Sequence, residues 1–507
     1  MIRLISILVF ATAIAPASAQ VKNGGDSLYR SVISRNNIAF INSNSTQLEA
    51  GDVNKAGMAS LSFNTANGSY RRSQEAQQST TANFYTEGIS TIGRFKVAGS
   101  FRFNKIWEDS LAWSMKGIDE DVQPYYFFAG KAGAYERQNY NLKAIVSYTL
   151  LKDRLFLASG FKYDYHWTTR SVDPRPDVKL FSIQVSPSLT YKAGDHVIGA
   201  GITWGYGNET NSITYKNKNY AGNQLYIDRN SYLSLGYGHI AKMQGSLRRY
   251  DKFSGFDLNY AGTVAGINTK ASFSYLLREE DNTRDAGSSQ TYSLFSYLQL
   301  EDYKAALLLT DKTGRRQLQF SFLSGSALNW AAEFNATSYQ YVSNHADATY
   351  LQRFGKRVTH EAGFSLAYDD VSKDDMVEEH SIAYQLLQPG LQYNIYWNNK
   401  ERDQFSAGFS PSVKLPLNNQ IHVPATQENV FTKGIVYPDY IYRDSKVLQL
   451  DAEIAASTHR LVRNLHMGLK IKASWQSAEA AVIAFPQAGF IPGRNRFLLN
   501  VSANLYF

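Results

Sequence analysis

Residues 494–507 read RNRFLLNVSANLYF. Phe497, Leu499, Val501, Ala503, Leu505 and Phe507 alternate with Arg496, Leu498, Asn500, Ser502, Asn504 and Tyr506. The first set is wholly apolar and the second mostly polar. Strand side chains point alternately to opposite faces, so period two sustained this long predicts a strand with one oily and one wetter side. The stretch closes on an aromatic residue, Phe507.

The same dyad recurs through most of the chain. In residues 94–104, Phe95, Val97, Phe101 and Phe103 oppose Arg94, Lys96, Arg102 and Asn104. Residues 142–150, 155–165, 198–206, 267–277, 328–336, 362–368 and 467–475 repeat it. Segments of about ten residues with this alternation, short turns on one side and long polar loops on the other, are the signature of a transmembrane β-barrel. Residues 151–153, 192–194 and 355–356 read as tight turns, and 104–138, 167–178, 208–226, 279–289, 370–378, 416–441 and 477–493 as long loops. The expected fold is all-β, an antiparallel up-and-down barrel of about 22 strands, within roughly 18 to 24, with no large plug domain. The count rests on reading through Pro389 as a kink in one long strand, which keeps the number even and both barrel termini on one side.

Composition agrees. Aromatic residues make up 14% of the 507 residues, Tyr dominates with 34, and Cys is absent. Barrels place such rings where the wall meets the aqueous phase. The mean hydropathy is negative, −0.35, which a barrel tolerates because only every second strand residue faces lipid. No apolar run approaches the roughly 18 residues of a spanning helix. The formal charge of +8 has no dense basic run behind it, so nucleic acid is not an expected partner.

Residues 1–19 read as a secretory signal peptide: Arg3, an apolar core over 4–14, and the small-residue site Ala17-Ser18-Ala19. Residues 20–55 are polar and irregular, with Asp26-Ser27 positioned to cap a short helix. This segment reads equally as a short hatch inside a barrel or as a lead-in. Residues 56–507 are the expected barrel.

The catalytic search finds no metal spacing, no nucleophile elbow and no cofactor motif. The pairs Asp164/His166 and His345/Asp347 share strand faces but read first as lumen or rim groups, and the acidic residues 369–379 as a solvated loop. No catalytic, cofactor or metal residue is assigned, and an enzyme is not expected. Six basic residues are expected to face the lumen around the barrel seam: Arg94, Lys96, Arg102, Lys470, Lys472 and Arg496. Basic rings favour anions in pores. Asp451 and Glu453 on a neighbouring strand leave open a bracing salt ladder instead. Phe101 is expected to face lipid. The long loop 104–138 carries Trp107, Trp113 and the run Tyr125, Tyr126, Phe127 and Phe128. Such a cluster either folds into the mouth, docks a partner, or packs on itself.

The terminal strand ending in Phe507 resembles the recognition strand of Gram-negative outer-membrane barrels. With residues 67–76 (NGSYRRSQEA), Asp173-Pro174-Arg175-Pro176 and the signal peptide, the chain is similar to a family of plugless outer-membrane barrels of about five hundred residues that are accessory to TonB-dependent uptake. The resemblance implies the bacterial outer membrane as location. It implies as partners the barrel assembly machinery, outer-membrane lipid and lipopolysaccharide, and a TonB-dependent receptor or surface lipoprotein. The function it implies is a channel or accessory subunit of a nutrient-uptake complex, the alternative being a filled structural or adhesive barrel. It supplies no catalytic residue.

Overall fold

The computed structural model describes residues 28–507 except 119, 243–244, 286–291, 357, 400–402, 460–464 and 480–484. The signal peptide and its cleavage site lie outside the described residues. The strands in chain order are β1 (Lys55–Gly68), β2 (Gln78–Ile92), β3 (Phe95–Leu111), β4 (Tyr125–Phe128), β5 (Gly133–Leu151), β6 (Leu155–Arg170) and β7 (Arg175–Ala193). There follow β8 (His196–Thr214), β9 (Tyr232–Leu235), β10 (Ile240–Lys242), β11 (Gly245–Val264), β12 (Ile267–Asp285), β13 (Tyr292–Asp311) and β14 (Arg316–Ala331). The last are β15 (Ala336–Phe354), β16 (Val358–Asp375), β17 (His380–Asn399), β18 (Asp403–His422), β19 (Val447–Thr458), β20 (His466–Ala478) and β21 (Asn495–Tyr506).

Eighteen of these form one closed antiparallel sheet, sealed where β1 pairs with β21 in the register Ser62↔Ser502. Closure leaves no edge strand unpaired. At the seam Phe507 exchanges backbone hydrogen bonds with Gly57, at 2.8 and 3.0 Å. A Cβ at Gly57 would lie 2.1 Å from the Phe507 ring, so the seam requires glycine there.

The count of eighteen corrects the expected figure of about 22, and two physical reasons account for it. The wall strands β2–β18 run 15–20 residues, longer than a bilayer needs, so stretches read as loops within 104–138, 208–226, 279–289 and 370–378 are the upper parts of strands. Beyond an apolar belt both faces can be polar, and the dyad that marks a strand fades. In addition, β4, β9 and β10 do not join the wall; they form a separate three-stranded sheet. The reading through Pro389 matches the structure: β17 is one strand, with a register shift between Gln385 and Leu386.

Outward residues form an exposed apolar belt that includes Leu61, Phe63, Ile198, Trp204, Leu258, Phe364, Phe409 and Phe497. Inward neighbours on the same strands are Ser60, Ser62, Asn83, Asn500 and Ser502. Phe101 packs against Phe84 on the outer face, and Arg102 points into the lumen. The connections 93–94, 152–154, 194–195, 265–266 and 312–315, like both wall termini, lie at one end, hereafter the turn end; the long connections that follow β1, β3, β8, β18 and β20 leave from the other, the loop end. Among the described residues no helix is long and apolar enough to cross a membrane.

Candidate functional site in the barrel lumen

The lumen is crossed at both ends by segments of the chain itself. At the loop end, the connection between β3 and β5 turns inward as β4, which pairs with β9, itself paired with β10. All four residues of β4 are buried, and Phe127 and Phe128 have no exposed surface. The strand alternates, but both its faces are apolar. Tyr125 and Phe127 pack with Met115, Leu233, Tyr135, Ile213, Leu247 and Phe295, while Tyr126 and Phe128 pack with Tyr237, Tyr339, Ile382, Tyr384, Phe431 and Val436. The sheet thus bridges two sectors of wall. Phe128 stacks on Tyr232 at 5.4 Å and meets Phe431 edge-on at 5.4 Å. Trp113 sits beside Phe128 at 6.5 Å, and its carbonyl accepts from Gln74 Nε2 at 2.8 Å.

A charged layer fastens this loop to the wall. Glu120 pairs with Arg278 at 3.0 Å, Asp121 with Lys373 at 2.8 Å and Arg72 at 3.8 Å, and Gln123 Nε2 donates to both oxygens of Glu280 at 2.7 Å. Arg137 donates to the carbonyls of Lys116 and Gly117 and pairs with Glu108 at 2.6 Å. Burial pushes the Glu120 carboxyl up, but the Arg278 and Arg249 guanidinia outweigh it and hold it at about 2. Burial opposes ionisation of Asp121 as well, and Lys373, Arg443 and Arg72 hold it well below the usual carboxylate range. Arg72 comes from the NGSYRRSQEA segment, where it also pairs with Glu75 at 2.9 Å. Asp173 is a loop anchor too, accepting from the backbone N–H of Lys216 and Asn217.

At the turn end the lumen holds two short helices, α1 (Val32–Ile41) and α2 (Ser45–Ala50). Ser31 caps α1 and Asn44 caps α2, each accepting a backbone N–H three residues on. The buried Glu361 carboxylate accepts from Val32 N at 3.1 Å and Ile33 N at 3.4 Å, where a helix N-terminus favours an anion. Gln47 donates to the carbonyls of Tyr260 and Ala271, Ser45 meets Ser188 at 2.7 Å, and Thr46 meets Thr190 at 3.0 Å. Gly199 permits that approach, because a Cβ there would lie 1.9 Å from Thr46 Oγ1.

The helices and the cap of α1 lean on β3, on β5–β8, on β11 and β12 and on β14–β17, and leave the seam sector less covered. There a cavity of ≈ 440 Å³ runs from Gln404, Ser457 and Tyr506 at the turn end towards Ser62, Arg102 and Asn500 at mid-height. Its helix side carries Tyr29, Arg30 and Arg35. Across the lumen Lys304 and Asp302 are about half exposed, so the middle of the barrel is polar and open rather than filled with apolar side chains.

The expected basic arc is not a ring. Lys96 is buried under the helices, where its Nζ donates to the carbonyls of Leu48 at 2.6 Å and Gly51 at 2.8 Å. Arg102 and Lys470 line the cavity. Lys470 pairs with Glu453 at 3.0 Å and Lys472 with Asp451 at 3.6 Å, while Arg496 lies at the loop end, 3.8 Å from Glu75. Arg94 is a correction: it sits in the turn after β2, over the ring of outward-facing Tyr148, because the turn shifts the phase of the alternation. Trp107 is another. It lies on the outer face of β3, exposed, since the strand continues to Leu111 and no loop begins at 104. Sequence reasoning missed Asn83, Tyr85, Asn500 and Asn504 in the cavity wall; their signal was a run of inward amides and hydroxyls on adjacent strands.

Asp164 and His166 separate into different networks, with Asn141 and Thr168 respectively. His345 bridges Asp347 and Asp369, both at 2.5 Å, so both ring nitrogens are taken. Among the described residues no three His, Asp or Glu side chains are placed to hold a metal ion.

No curated protein matches the chain. Solved structures similar in outline include the ferric-catecholate import receptor Fiu from E. coli K12 in its open form, at 10% identity and a TM-score of 0.40, covering 90% of this chain and 82% of that one. A mutant of the ferric enterobactin receptor PfeA from Pseudomonas aeruginosa has 8% identity and a TM-score of 0.40, over 90% and 81% of the two chains. The FrpB iron transporter from Neisseria meningitidis has 8% identity and a TM-score of 0.39, over 91% and 82%. Residues 45–507 match a family model described as a family of unknown function, DUF6850, and the chain belongs to that family.

Proposed function

We propose that the protein is a gated outer-membrane pore for polar solutes. In this reading the turn end faces the periplasm, the loop end faces outward, and the belt of exposed aliphatic and aromatic side chains lies in lipid, where an apolar surface of that extent is stable. The observation that carries the reading is the polar, open mid-lumen between two thin closures. An eighteen-stranded wall encloses more space than its own side chains fill, and here that space is lined by hydroxyls, amides and charges. A filled structural barrel would put apolar contacts there. The lumen-filling elements described are a three-stranded sheet, the loops that carry it and short helices, and TonB-coupled transport by this chain alone is not part of the reading.

The test is planar-bilayer conductance of the full chain and of a chain with residues 112–132 replaced by a short glycine-serine linker. The full chain should conduct weakly, and the deletion should raise conductance roughly tenfold by clearing the mouth. Absence of conductance in both, with heat-modifiable barrel present, overturns the pore.

A second reading, an accessory subunit, is favoured by the connection between β8 and β9. There Leu225 is 84% and Ile227 63% exposed at the loop end. Two exposed aliphatic residues on one turn suit a protein partner, such as a TonB-dependent receptor or surface lipoprotein. Leu225→Asp with Ile227→Asp should abolish co-purification of that partner without altering conductance.

A further inference from the structure

We infer that the seam cavity is a binding site for a hydroxylated, anionic solute, a sugar acid or sugar phosphate of one or two rings. The inference deepens the pore reading and rests on it for the solute's route.

The wall of the cavity is built by the strands that close the barrel. Ser60, Ser62, Asn83, Asn500, Ser502 and Asn504 point into it from β1, β2 and β21. Cross-strand register stacks these groups at neighbouring heights, Ser62 opposite both Asn83 and Ser502, and Ser60 opposite Asn504. Amide and hydroxyl side chains both donate and accept, which is what a ring of hydroxyls requires. Tyr29, Tyr85 and Tyr506 add amphipathic rings, apolar enough to lie against a pyranose face and polar at the tip.

Charge sets the sign of the ligand. The two carboxylates in the lining are already engaged. Glu453 pairs with Lys470 at 3.0 Å and Arg35 at 3.9 Å, and Glu87 accepts from Tyr85 Oη at 2.7 Å. Arg102 has no carboxylate partner among the described residues. Its guanidinium lies over the Tyr85 ring at 5.0 Å, which holds it at the cavity wall, and a guanidinium carries five N–H donors. A planar guanidinium fits a carboxylate or phosphate in a bidentate pair. The volume, ≈ 440 Å³, lies at the small end of small-molecule sites, about 300–1,000 Å³.

The experiment is equilibrium calorimetry on the full chain in detergent with three probes: digalacturonate, glucose 6-phosphate and maltose. One or both acids should bind at least tenfold more tightly than maltose, and which of them binds separates carboxylate from phosphate. Arg102→Gln should weaken the acid at least tenfold and leave maltose unchanged. Lys304→Gln, on the opposite wall, should change neither, and heat-modifiable migration confirms that each variant is folded. Equal binding of maltose and the acids, no binding of any probe, or undiminished acid binding by a folded Arg102→Gln barrel overturns the site. Binding without conductance would sink the pore and keep the site; conductance without binding would do the reverse.

Discussion

At the loop end the lumen is crossed by a strand whose two faces are both buried and apolar; at the turn end it is crossed by helices held mainly by hydrogen bonds to the wall. The loop-end sheet sinks Phe127 and Phe128 completely, and burying such a ring contributes about 1.5–3 kcal/mol. The turn-end pair has a smaller apolar side, Ile38, Ile41 and Leu48 against Ile89 and Ala98. Its other contacts are scattered hydrogen bonds, the neutral ones worth about 0.5–1.5 kcal/mol net each and those to Lys96 and Glu361 about 1.5–3 kcal/mol. An interdigitated apolar sheet opens all at once or not at all, whereas a set of separate hydrogen bonds can be released in part. The turn-end helices are therefore expected to open first, and they border the cavity.

The largest effect expected is on the sheet. Phe128→Ala should destabilise the loop-end closure by about 3–5 kcal/mol, since the neighbours Phe431 and Tyr232 cannot collapse fully into the space left. Hydrogen exchange should show protection lost across 112–132 and 232–242 while the wall strands keep theirs. Loss of protection in the turn-end helices as well would mean that the two closures are one cooperative unit, and the contrast would be broken.

Acid should act on the same closure. A carboxyl depressed in the folded state adds stability that is complete above its unfolded value and lost as pH falls through the folded one. For Glu120 that window runs from the ordinary 4.5 down to about 2. Asp121 shifts in the same direction, so the two act together. Asp439 opposes them: burial raises it, with Arg72 and Lys373 pulling the other way, so its protonation on acidification removes a penalty and softens the release. Conductance should rise as the pH falls below about 4.5. A rise centred on pH 6 to 7 would assign the gate to other groups.

The belt and the seam were legible because lipid on one side and water on the other force period two onto the sequence, as in 494–507. Above the belt that constraint lapses, which is why the alternation marks β3 only to residue 104 and leaves Trp107 looking like a loop residue. The aromatic run of β4 was visible, but its burial on two sides was not: a strand apolar on both faces looks the same whether it spans a lumen or packs a loop. The cavity was half legible. Arg102 and Lys470 stood out by charge, whereas Asn83 and Asn500 looked like any polar inward residue until the register put them together.

At the turn end a single buried cation does more than the rest. Lys96 Nζ donates to Leu48 O, in the last turn of α2, and to Gly51 O, its C-cap, where a positive charge also suits the helix dipole. Lys96→Met should take the charged donor from both carbonyls, leaving Leu48 O only the 3.3 Å bond from Gly51 N, and release α2 by about 1.5–3 kcal/mol, the range for hydrogen bonds to a charged group. Faster proteolysis of residues 42–54, with an unchanged barrel melt, would show it. If the barrel melts earlier as well, the helices brace the wall and are not a separate gate.

The smallest effect is expected from Lys472, one of the six basic residues of the supposed arc. It pairs with Asp451 at 3.6 Å on the adjacent strand, but its side chain is 46% exposed to the lumen. An ion pair in that setting is screened and is worth at most about 1 kcal/mol. Lys472→Gln should therefore leave barrel melting within error, leave both closures intact, and leave acid binding in the cavity within twofold, because the cavity lining includes Lys470 and Arg102 but not Lys472. It is the variant that separates the two meanings of a basic arc. If inward charge as such selected anions, removing Lys472 would weaken acid binding and anion preference as much as removing Arg102. If selection resides in one guanidinium placed among amides, only Arg102 matters. Equal losses in the two variants would replace the cavity with a diffuse lumen field.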